Sequence, residues 1–248
     1  MALEPTIRSQ YNAEIVSTRR QPATNELRDR PAYQLIEAAR YLKLPVATLR
    51  AWTLGRAYPT TRGESHFRPL IRPASRKPSL LSFSNLIEVH VLRALRTDHG
   101  VSVKAVRQAV EYAERTLAIE RLLLRRELSS EAGQVFLDQY GKLINLSASG
   151  QLAIREVWRA HLRRVEWDDQ RFPTRLHPFV GADAERPRMP IAIDPAISFG
   201  RPIVVSRGIS TAAIVGRIDA GETVAELAAD YDLSNEDIED AVLYERAA

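Results

Sequence analysis

YQLIEAARYLKLPVATLRAW, residues 33–52, sets the architecture of the first half of the chain. Apolar or small side chains recur there at the spacing of one helical face: Leu35, Ala38, Ala39 and Leu42. Leu44-Pro45 interrupts this pattern, and because proline is tolerated only in the first turn of a helix, a second helix begins there. Two short helices joined by a tight turn form a helix-turn-helix, although an ordinary helical hairpin in a core gives the same pattern.

The composition is that of a soluble globular protein, since 45% of the 248 residues are hydrophobic and 27% are charged. This length allows one large domain or two small ones. Cysteine is absent, which excludes disulfides, thiolate metal sites and cysteine nucleophiles. No apolar run approaches the roughly 20 residues that cross a bilayer, and no signal-peptide apolar region opens the sequence. We therefore expect a cytoplasmic protein without a membrane partner.

Charge is distributed unevenly along the chain. The net charge is +4, but residues 31–126 hold 17 basic and 7 acidic side chains, whereas residues 181–248 hold 6 basic and 13 acidic ones. The first region suits a polyanion such as DNA, and the second does not. Two regions of opposite charge indicate two different partners.

Basic residues concentrate just after the second helix, which we expect Gly55 to end. Residues 56–78 contain too many prolines and glycines for a helix, and we predict short strands at His66-Phe67 and Leu70-Ile71. A basic hairpin in this place is typical of a wing that contacts the DNA backbone or minor groove. The wing cations expected to bind DNA are Arg56, Arg68, Arg72, Arg76 and Lys77.

Two longer helices are predicted next, capped by Ser82 or Ser84 and by Ser102. The second of them carries a heptad-like apolar stripe: Val103, Val106, Val110, Ala113 and Leu117. Such a stripe suits packing against the same helix of a second copy, and it suits packing on its own chain equally well. A homodimer is therefore a prediction of the sequence, with intrachain packing as the alternative.

Residues 33–117 resemble the DNA-binding half of MerR-type winged-helix regulators. The resemblance rests on LIEAAR at 35–40, LPVATLRAW at 44–52, the basic wing, SFSNL at 82–86 and GVSVKAV at 100–106. It implies that Thr48 and Arg50 face the DNA while Leu49 and Trp52 hold the second helix to its core. The wing is longer and richer in proline than the family's usual one.

The middle of the chain offers no enzyme motif. We predict a hairpin over 135–146, a helix over 151–165 and a solvated turn at Asp168-Asp169. A metal-dependent hydrolase using Asp168, Asp169 and His177 is the weakest hypothesis, because the histidines are scattered without ligand spacing. Phosphate-binding loops, dinucleotide-binding glycines and nucleophile elbows are absent from the sequence. We therefore predict a protein that is not an enzyme and needs no cofactor.

Prolines crowd residues 173–190, and we predict a linker there, followed by a separate module over 191–248. Two short strands should surround the turn at Asp194-Pro195, and helices should follow over 211–220, 223–231 and 235–246. The last helix is strongly acidic, so that in a DNA groove it would meet phosphate with like charge. We expect this module to bind something other than DNA.

This module resembles an antitoxin-associated family, formerly a domain of unknown function, through Asp194-Pro195, GRP at 200–202, Gly208-Ile209 and the terminal IEDAVLY at 238–244. Members commonly accompany PIN-like ribonuclease toxins, and the whole chain looks like a long VapB-type antitoxin. The resemblance implies a homodimer or a hetero-oligomer with the toxin. The residues it nominates for toxin binding are Arg201, Arg207, Glu236, Asp237, Glu239, Asp240 and Tyr244. Which of them blocks the toxin is left open, with Arg207 and the tail from Tyr244 as equal candidates.

The predicted fold is mainly α within the α+β class. It comprises a mobile arm over 1–30, a winged helix-turn-helix head over 31–128, a hairpin-helix connector over 129–172, the linker over 173–190 and a strand pair with a three-helix bundle over 191–248. The leading function is an antitoxin that silences a ribonuclease and represses its own operon. The alternative is a stand-alone MerR-like regulator whose C-terminal half senses a small molecule or contacts another protein.

Overall fold

The computed structural model describes residues 27–61, 63–97, 103–118, 121–124, 138, 159–181 and 188–247. The fold is α+β, as predicted, with helices alternating with small antiparallel sheets. Within these described ranges, no helix is both long and apolar enough to cross a membrane.

The predicted pair of short helices is present as α1, Leu35–Tyr41, and α2, Val46–Leu54. Pro45 occupies the N-cap position of α2, where the missing backbone N–H is of little consequence. Gly55 follows α2 with a φ of 82°, a left-handed value that a side chain would disfavour. Both helix boundaries therefore follow from single residues of the sequence.

An antiparallel hairpin follows α2, formed by β2, Arg56–Thr60, and β3, Gly63–Phe67. The strand predicted at Leu70-Ile71 is wrong. The N–H groups of these two residues donate to the Trp52 carbonyl, at 2.7 and 3.1 Å, and Ile71 is buried. Packing against the end of α2 replaces strand pairing there.

The next elements complete the N-terminal half: β1, Tyr33–Gln34; β4, Ser75–Arg76; β5, Ser79–Leu81; α3, Phe83–Thr97; α4, Val103–Leu117; and a short 3-10 helix, Leu122–Leu124. Strands β1, β4 and β5 form one sheet in the order β1-β5-β4. Ser82 caps α3, as one of the two predicted candidates. Its hydroxyl accepts the Asn85 N–H at 3.2 Å while the Asn85 side chain accepts the Ser82 N–H at 3.1 Å.

A five-stranded antiparallel sheet occupies the second half, in the order β10-β9-β8-β7-β6. Its strands are β6, Val165–Trp167; β7, Pro173–Leu176; β8, Ile191–Ile193; β9, Pro202–Val204; and β10, Ile209–Ser210. The predicted strand pair is β8 with β9. That pair is thus the centre of a larger sheet.

Two predictions for the middle of the chain differ from the structure at their edges. The linker expected over 173–190 begins as β7, because Pro173 opens the strand, where a missing N–H is tolerated, and Leu176 pairs with Ile193. Of the helix expected over 151–165, residues 151–158 lie outside the described residues and residues 159–162 are helical. Val165 already belongs to β6. The hairpin expected over 135–146 lies, apart from residue 138, outside the described residues.

The three predicted C-terminal helices are confirmed as α5, Thr211–Asp219; α6, Val224–Tyr231; and α7, Asn235–Arg246. Thr223 and Glu226 form the expected capping box of α6, and Ser234 accepts the Asp237 N–H at the start of α7. Local sequence signals therefore account for the helix starts in this module.

Two apolar clusters lie inside the molecule. The N-terminal core is built mostly from the first half of the chain but also includes Leu176 and Ile193: its members include Tyr33, Tyr41, Leu42, Leu49, Trp52, Phe83, Leu86 and Ile87. The C-terminal core comprises Ile191, Val204, Ile214, Leu227, Leu233, Ile238, Ala241 and Tyr244. Because Ile191 belongs to the C-terminal core and Ile193 to the N-terminal core, a single strand, β8, contributes to both cores.

Candidate nucleic-acid interface and partner surface

Helix α2 presents one face to the core and another to solvent. Leu49 and Trp52 are buried, so they hold the helix in place as the sequence predicted. Arg50 is exposed and Thr48 is half-buried on the remaining surface. The hydroxyl of Thr53 donates back to the Leu49 carbonyl at 2.9 Å, which completes the buried face.

The predicted DNA-binding cations of the wing surround the hairpin and the strands after it. All of them are exposed: Arg56 on β2, Arg68 after β3, Arg72, Arg76 on β4 and Lys77. In the part of the chain that the structure describes, no carboxylate forms an ion pair with these side chains or with Arg50. Their charge is therefore available to an anion, and DNA contact by them remains a prediction.

The turn between α1 and α2 is held by two distant side chains. Arg93 of α3 donates to the Leu42 carbonyl at 2.6 Å, and the Tyr244 hydroxyl of α7 donates to the Tyr41 carbonyl at 2.9 Å. Lys43, with a φ of 52°, places its ammonium 4.1 Å from the centre of the Tyr244 ring. Burial lowers the pKa of Lys43. We refer to these five residues as the turn clasp.

The clasp changes the role expected for Tyr244. The sequence nominated it for toxin binding, but it is 1% exposed, and burial raises the pKa of its hydroxyl. Its ring packs edge-on against Phe179, with centroids 6.0 Å apart. In this structure Tyr244 is a structural contact between the C-terminal helix and the α1–α2 turn, and it is not part of a surface.

The acidic helix α7 is also more internal than expected. Asp237 and Asp240 are buried and face Arg188, whose guanidinium lies 2.6 Å from Asp237 and 4.0 Å from Asp240. Burial raises the pKa of Asp240. Only Glu236, itself paired with Arg188, and Glu239 are exposed. Residues 237, 240, 241 and 244 have the spacing of one helical face. This spacing is the sequence signal that could have predicted both aspartates to be buried.

The nominated arginines of the module differ from each other. Arg207 is exposed and pairs with the Asp232 carboxylate, while its Nε donates to the Asp232 carbonyl at 3.1 Å. Arg201 is exposed, and no carboxylate among the described residues pairs with it. Between β8 and β9, Phe199 is 93% exposed. The sequence reasoning missed Phe199, because an isolated aromatic residue in a stretch of prolines and glycines has no periodicity.

Two residues of the hydrolase hypothesis, Asp168 and His177, make structural contacts, and the third, Asp169, is exposed. The Asp168 carboxylate accepts the N–H groups of Gln170 and Phe172, at 3.0 and 2.8 Å, and pairs with Arg28. Because Arg28 is buried in this pair, the mobile arm predicted over 1–30 does not extend as far as residue 28. His177 lies between the Ile191 carbonyl, 3.2 Å away, and the Glu166 carboxylate, 2.7 Å away. Among the described residues, no cluster of histidines and carboxylates has the size of a metal site.

Comparison with known proteins finds a family match for part of the chain and two similar proteins along most of it. Residues 191–244 match DUF433, a family of proteins of unknown function. A Mycobacterium tuberculosis protein with the provisional name antitoxin VapB45 is 26% identical over 235 residues, covering 88% of this chain and 95% of its own. The uncharacterized protein Rv2308 of the same organism is 25% identical over 239 residues, covering 87% and 90%.

The fold has a counterpart in a crystal structure. Rv2018 of Mycobacterium tuberculosis aligns over 86% of this chain and 97% of its own, with a TM-score of 0.60 and 22% identity. At that identity the likeness speaks for the shared fold alone. The DUF433 match spans most of the module that the sequence predicted over 191–248, and it includes α7 with its buried aspartates.

Proposed function

We propose that this chain is the antitoxin of a toxin-antitoxin pair, which silences a PIN-like ribonuclease and represses its own operon. The observation that carries the proposal is the likeness to the provisional antitoxin VapB45 along nearly the whole of both chains. The DUF433 match adds support in the module to which the sequence assigned toxin binding. Such a protein acts in the cytoplasm.

The basic head supports the DNA-binding part of the proposal. Helix α2 offers Arg50 on its exposed face, and the β2–β3 hairpin follows it directly, with Arg56 on β2 and Arg68 after β3, neither of which pairs with a carboxylate of the described chain. In this proposal the head is a MerR-like winged helix: α2 enters the major groove, and the hairpin contacts phosphates on its flank. A homodimer would read two half-sites.

The exposed acids of the C-terminal module support the toxin-binding part. PIN-type nucleases hold divalent metal ions with carboxylates and bind RNA through basic surface. Glu236 and Glu239 remain exposed on α7 and can face such a basic surface, which would exclude RNA by charge and by volume. Asp237, Asp240 and Tyr244 would support this surface from inside.

Co-expression tests the proposal directly. The full chain and a PIN-like protein encoded next to it should co-purify as a complex that separates only in denaturant, and RNA cleavage should be suppressed in the complex. Failure to form a complex would sink the antitoxin proposal. DNA binding without any nuclease partner would instead favour the stand-alone MerR-like regulator.

The DNA-binding part has its own test. Arg50→Ala should weaken binding to the DNA upstream of the gene by about tenfold, because one side chain that reads bases contributes about 1–3 kcal/mol. Arg246→Ala is the matched control, since Arg246 is an exposed arginine of the C-terminal module. Equal loss in both variants would show that only general positive charge matters.

A further inference from the structure

The turn between β8 and β9 holds an aromatic side chain away from the protein. Phe199 is the most exposed of the large apolar residues in the described chain, at 93%. Exposing an aromatic ring of this size to water is unfavourable relative to burying it. A single exposed residue is ordinary, so the backbone that carries it decides whether the exposure is built into the fold.

That backbone lies in an unusual conformation. Ser198 and Phe199 have φ values of 50° and 55°, and Gly200 follows with 73°. Left-handed geometry is disfavoured for side chains other than glycine, and it persists where the surroundings impose it. Two consecutive residues therefore adopt a disfavoured conformation in the turn that points Phe199 into solvent.

The surroundings that impose it are visible. The Asp194 carboxylate accepts the Ala196 N–H at 2.8 Å and is itself held by Arg175 at 3.1 Å. Within the turn, the Gly200 N–H donates to the Ile197 carbonyl at 2.9 Å. On the inner side, the Tyr33 hydroxyl occupies the space that any side chain at position 200 would need. The turn is thus fixed from both ends before any partner arrives.

Aromatic residues and arginine are enriched at protein-protein interfaces, where a few such residues carry most of the binding energy. Arg201, two residues beyond Phe199, is exposed and lacks a carboxylate partner among the described residues. Ile197 lies on the other side of the turn, against Gly208 and next to the exposed Arg207. We refer to Ile197, Phe199 and Arg201 as the anchor turn. Its chemistry fits an apolar pocket with carboxylates on its rim.

We propose that the anchor turn is the main docking point of this chain on its ribonuclease, with Phe199 filling an apolar pocket and Arg201 facing carboxylates beside it. This inference rests on the proposed function and refines it. A nuclease that binds metal with carboxylates carries negative charge near its active-site cleft, which complements Arg201. The aspartates of α7 are not available to Arg201 of a second copy, because Asp237 and Asp240 are buried and face Arg188.

Affinity measurements with the full chain and the co-encoded nuclease test this proposal. Phe199→Ala should weaken binding by about 30-fold or more, as expected for an anchor residue. Its melting temperature should stay that of the wild type, because Phe199 has few contacts to lose. Ile36→Ala is the matched control, since Ile36 is an apolar residue of α1, 63% exposed and outside the C-terminal module, and should change affinity by less than about twofold.

Each result separates the two proposals. Wild-type affinity of Phe199→Ala for the nuclease would overturn the anchor turn and leave the antitoxin function intact. A loss confined to Ile36→Ala would place the interface on the head and would also overturn it. If Phe199→Ala weakened DNA binding or self-association in place of nuclease binding, the anchor would serve another partner. Absence of binding by the wild-type chain would remove both proposals together.

Discussion

The two cores of this chain differ in how far each can sustain its own fold. The N-terminal core collects large side chains from four helices and several strands, including residues as distant as Leu176 and Ile193. The C-terminal core consists of three short helices laid against one end of a sheet. A smaller core buries a smaller share of its surface, and its stability is correspondingly marginal. We infer that the C-terminal module depends on the head.

The structure shows where that dependence lies. Strand β8 places Ile191 in one core and Ile193 in the other. The turn clasp then joins α7 to the α1–α2 turn through Tyr244. The charge difference along the sequence predicts two partners, whereas these contacts predict one folding unit.

Removing the ring of Tyr244 should have the largest effect. Tyr244→Ala should lower the free energy of unfolding by about 4 kcal/mol, since it empties a buried aromatic site. Urea denaturation measures the loss, and hydrogen exchange should show weaker protection in α1 and α2 as well as in α5–α7. Leu243→Ala, its exposed neighbour, should change stability by less than about 0.5 kcal/mol. Unchanged protection in α1 and α2 would mean that the cores are independent.

Truncation of the shared strand separates the cores next. Ile193→Ala should lower the free energy of unfolding by about 3 kcal/mol, because it leaves a cavity in the N-terminal core. Ile191→Ala makes the same chemical change on the same strand but in the C-terminal core. Hydrogen exchange on both variants should show loss of protection on both sides of β8. Loss on one side only for each variant would contradict a single folding unit.

The N-terminal core should also respond to acid through His90 on α3. Burial, with nearby His161 as the second cause, lowers the pKa of His90 to about 3. Because an unfolded histidine titrates near 6.5, the unfolded chain takes up a proton first as the pH falls. The free energy of unfolding therefore contains the full contribution of the neutral His90 ring above about pH 6.5. This contribution should decrease by about 2 kcal/mol by about pH 5.

Comparing His90→Gln with the wild type isolates the pH-dependent contribution of His90 to the free energy of unfolding. The variant should be less stable at about pH 7.5, since it loses packing, but its stability should fall less between about pH 7.5 and about pH 5. Urea titrations across this range provide the measurement. Parallel curves for the two proteins would show that His90 does not titrate in the unfolding equilibrium.

The smallest expected effect concerns one hydrogen bond of the clasp. Tyr244→Phe keeps the ring against Phe179 and Lys43 but leaves the Tyr41 carbonyl without its donor. Stability should fall by about 1 kcal/mol, the net contribution of one such bond. The melting temperature should drop modestly, and hydrogen exchange should locate the change at the α1–α2 turn. A loss of stability as large as that of Tyr244→Ala would mean that this hydrogen bond accounts for the whole stabilising effect of Tyr244.

Helices were more predictable than strands in this chain, for a physical reason. The boundaries of α1, α2, α6 and α7 depend on local signals, such as Gly55 and the Thr223–Glu226 box, which act within a few residues. The five-stranded sheet depends on pairing between segments far apart, and its β7 begins at a proline that reads locally as a linker. The hydrophobic periodicity of one segment does not show which distant strand pairs with it.

The candidate surfaces follow the same division. Arg50 was predicted from the resemblance to MerR-type regulators and the wing cations from the concentration of positive charge, and the structure leaves them exposed. Asp237, Asp240 and Tyr244 were assigned to the surface by their chemistry, although their spacing belonged to a buried face. Phe199 was missed because its exposure results from a turn fixed by Tyr33, which lies 166 residues earlier in the sequence.

The pairing of Leu176 with Ile193 has a consequence for how such chains can be recombined during evolution. The DUF433 match starts at residue 191, so a gene fusion at that point would move Ile193 away from the core that buries it. The transplanted module would expose an isoleucine, and the abandoned head would be left with a cavity. Heads and modules of this type are therefore expected to be inherited as matched pairs, with compensating changes at both positions.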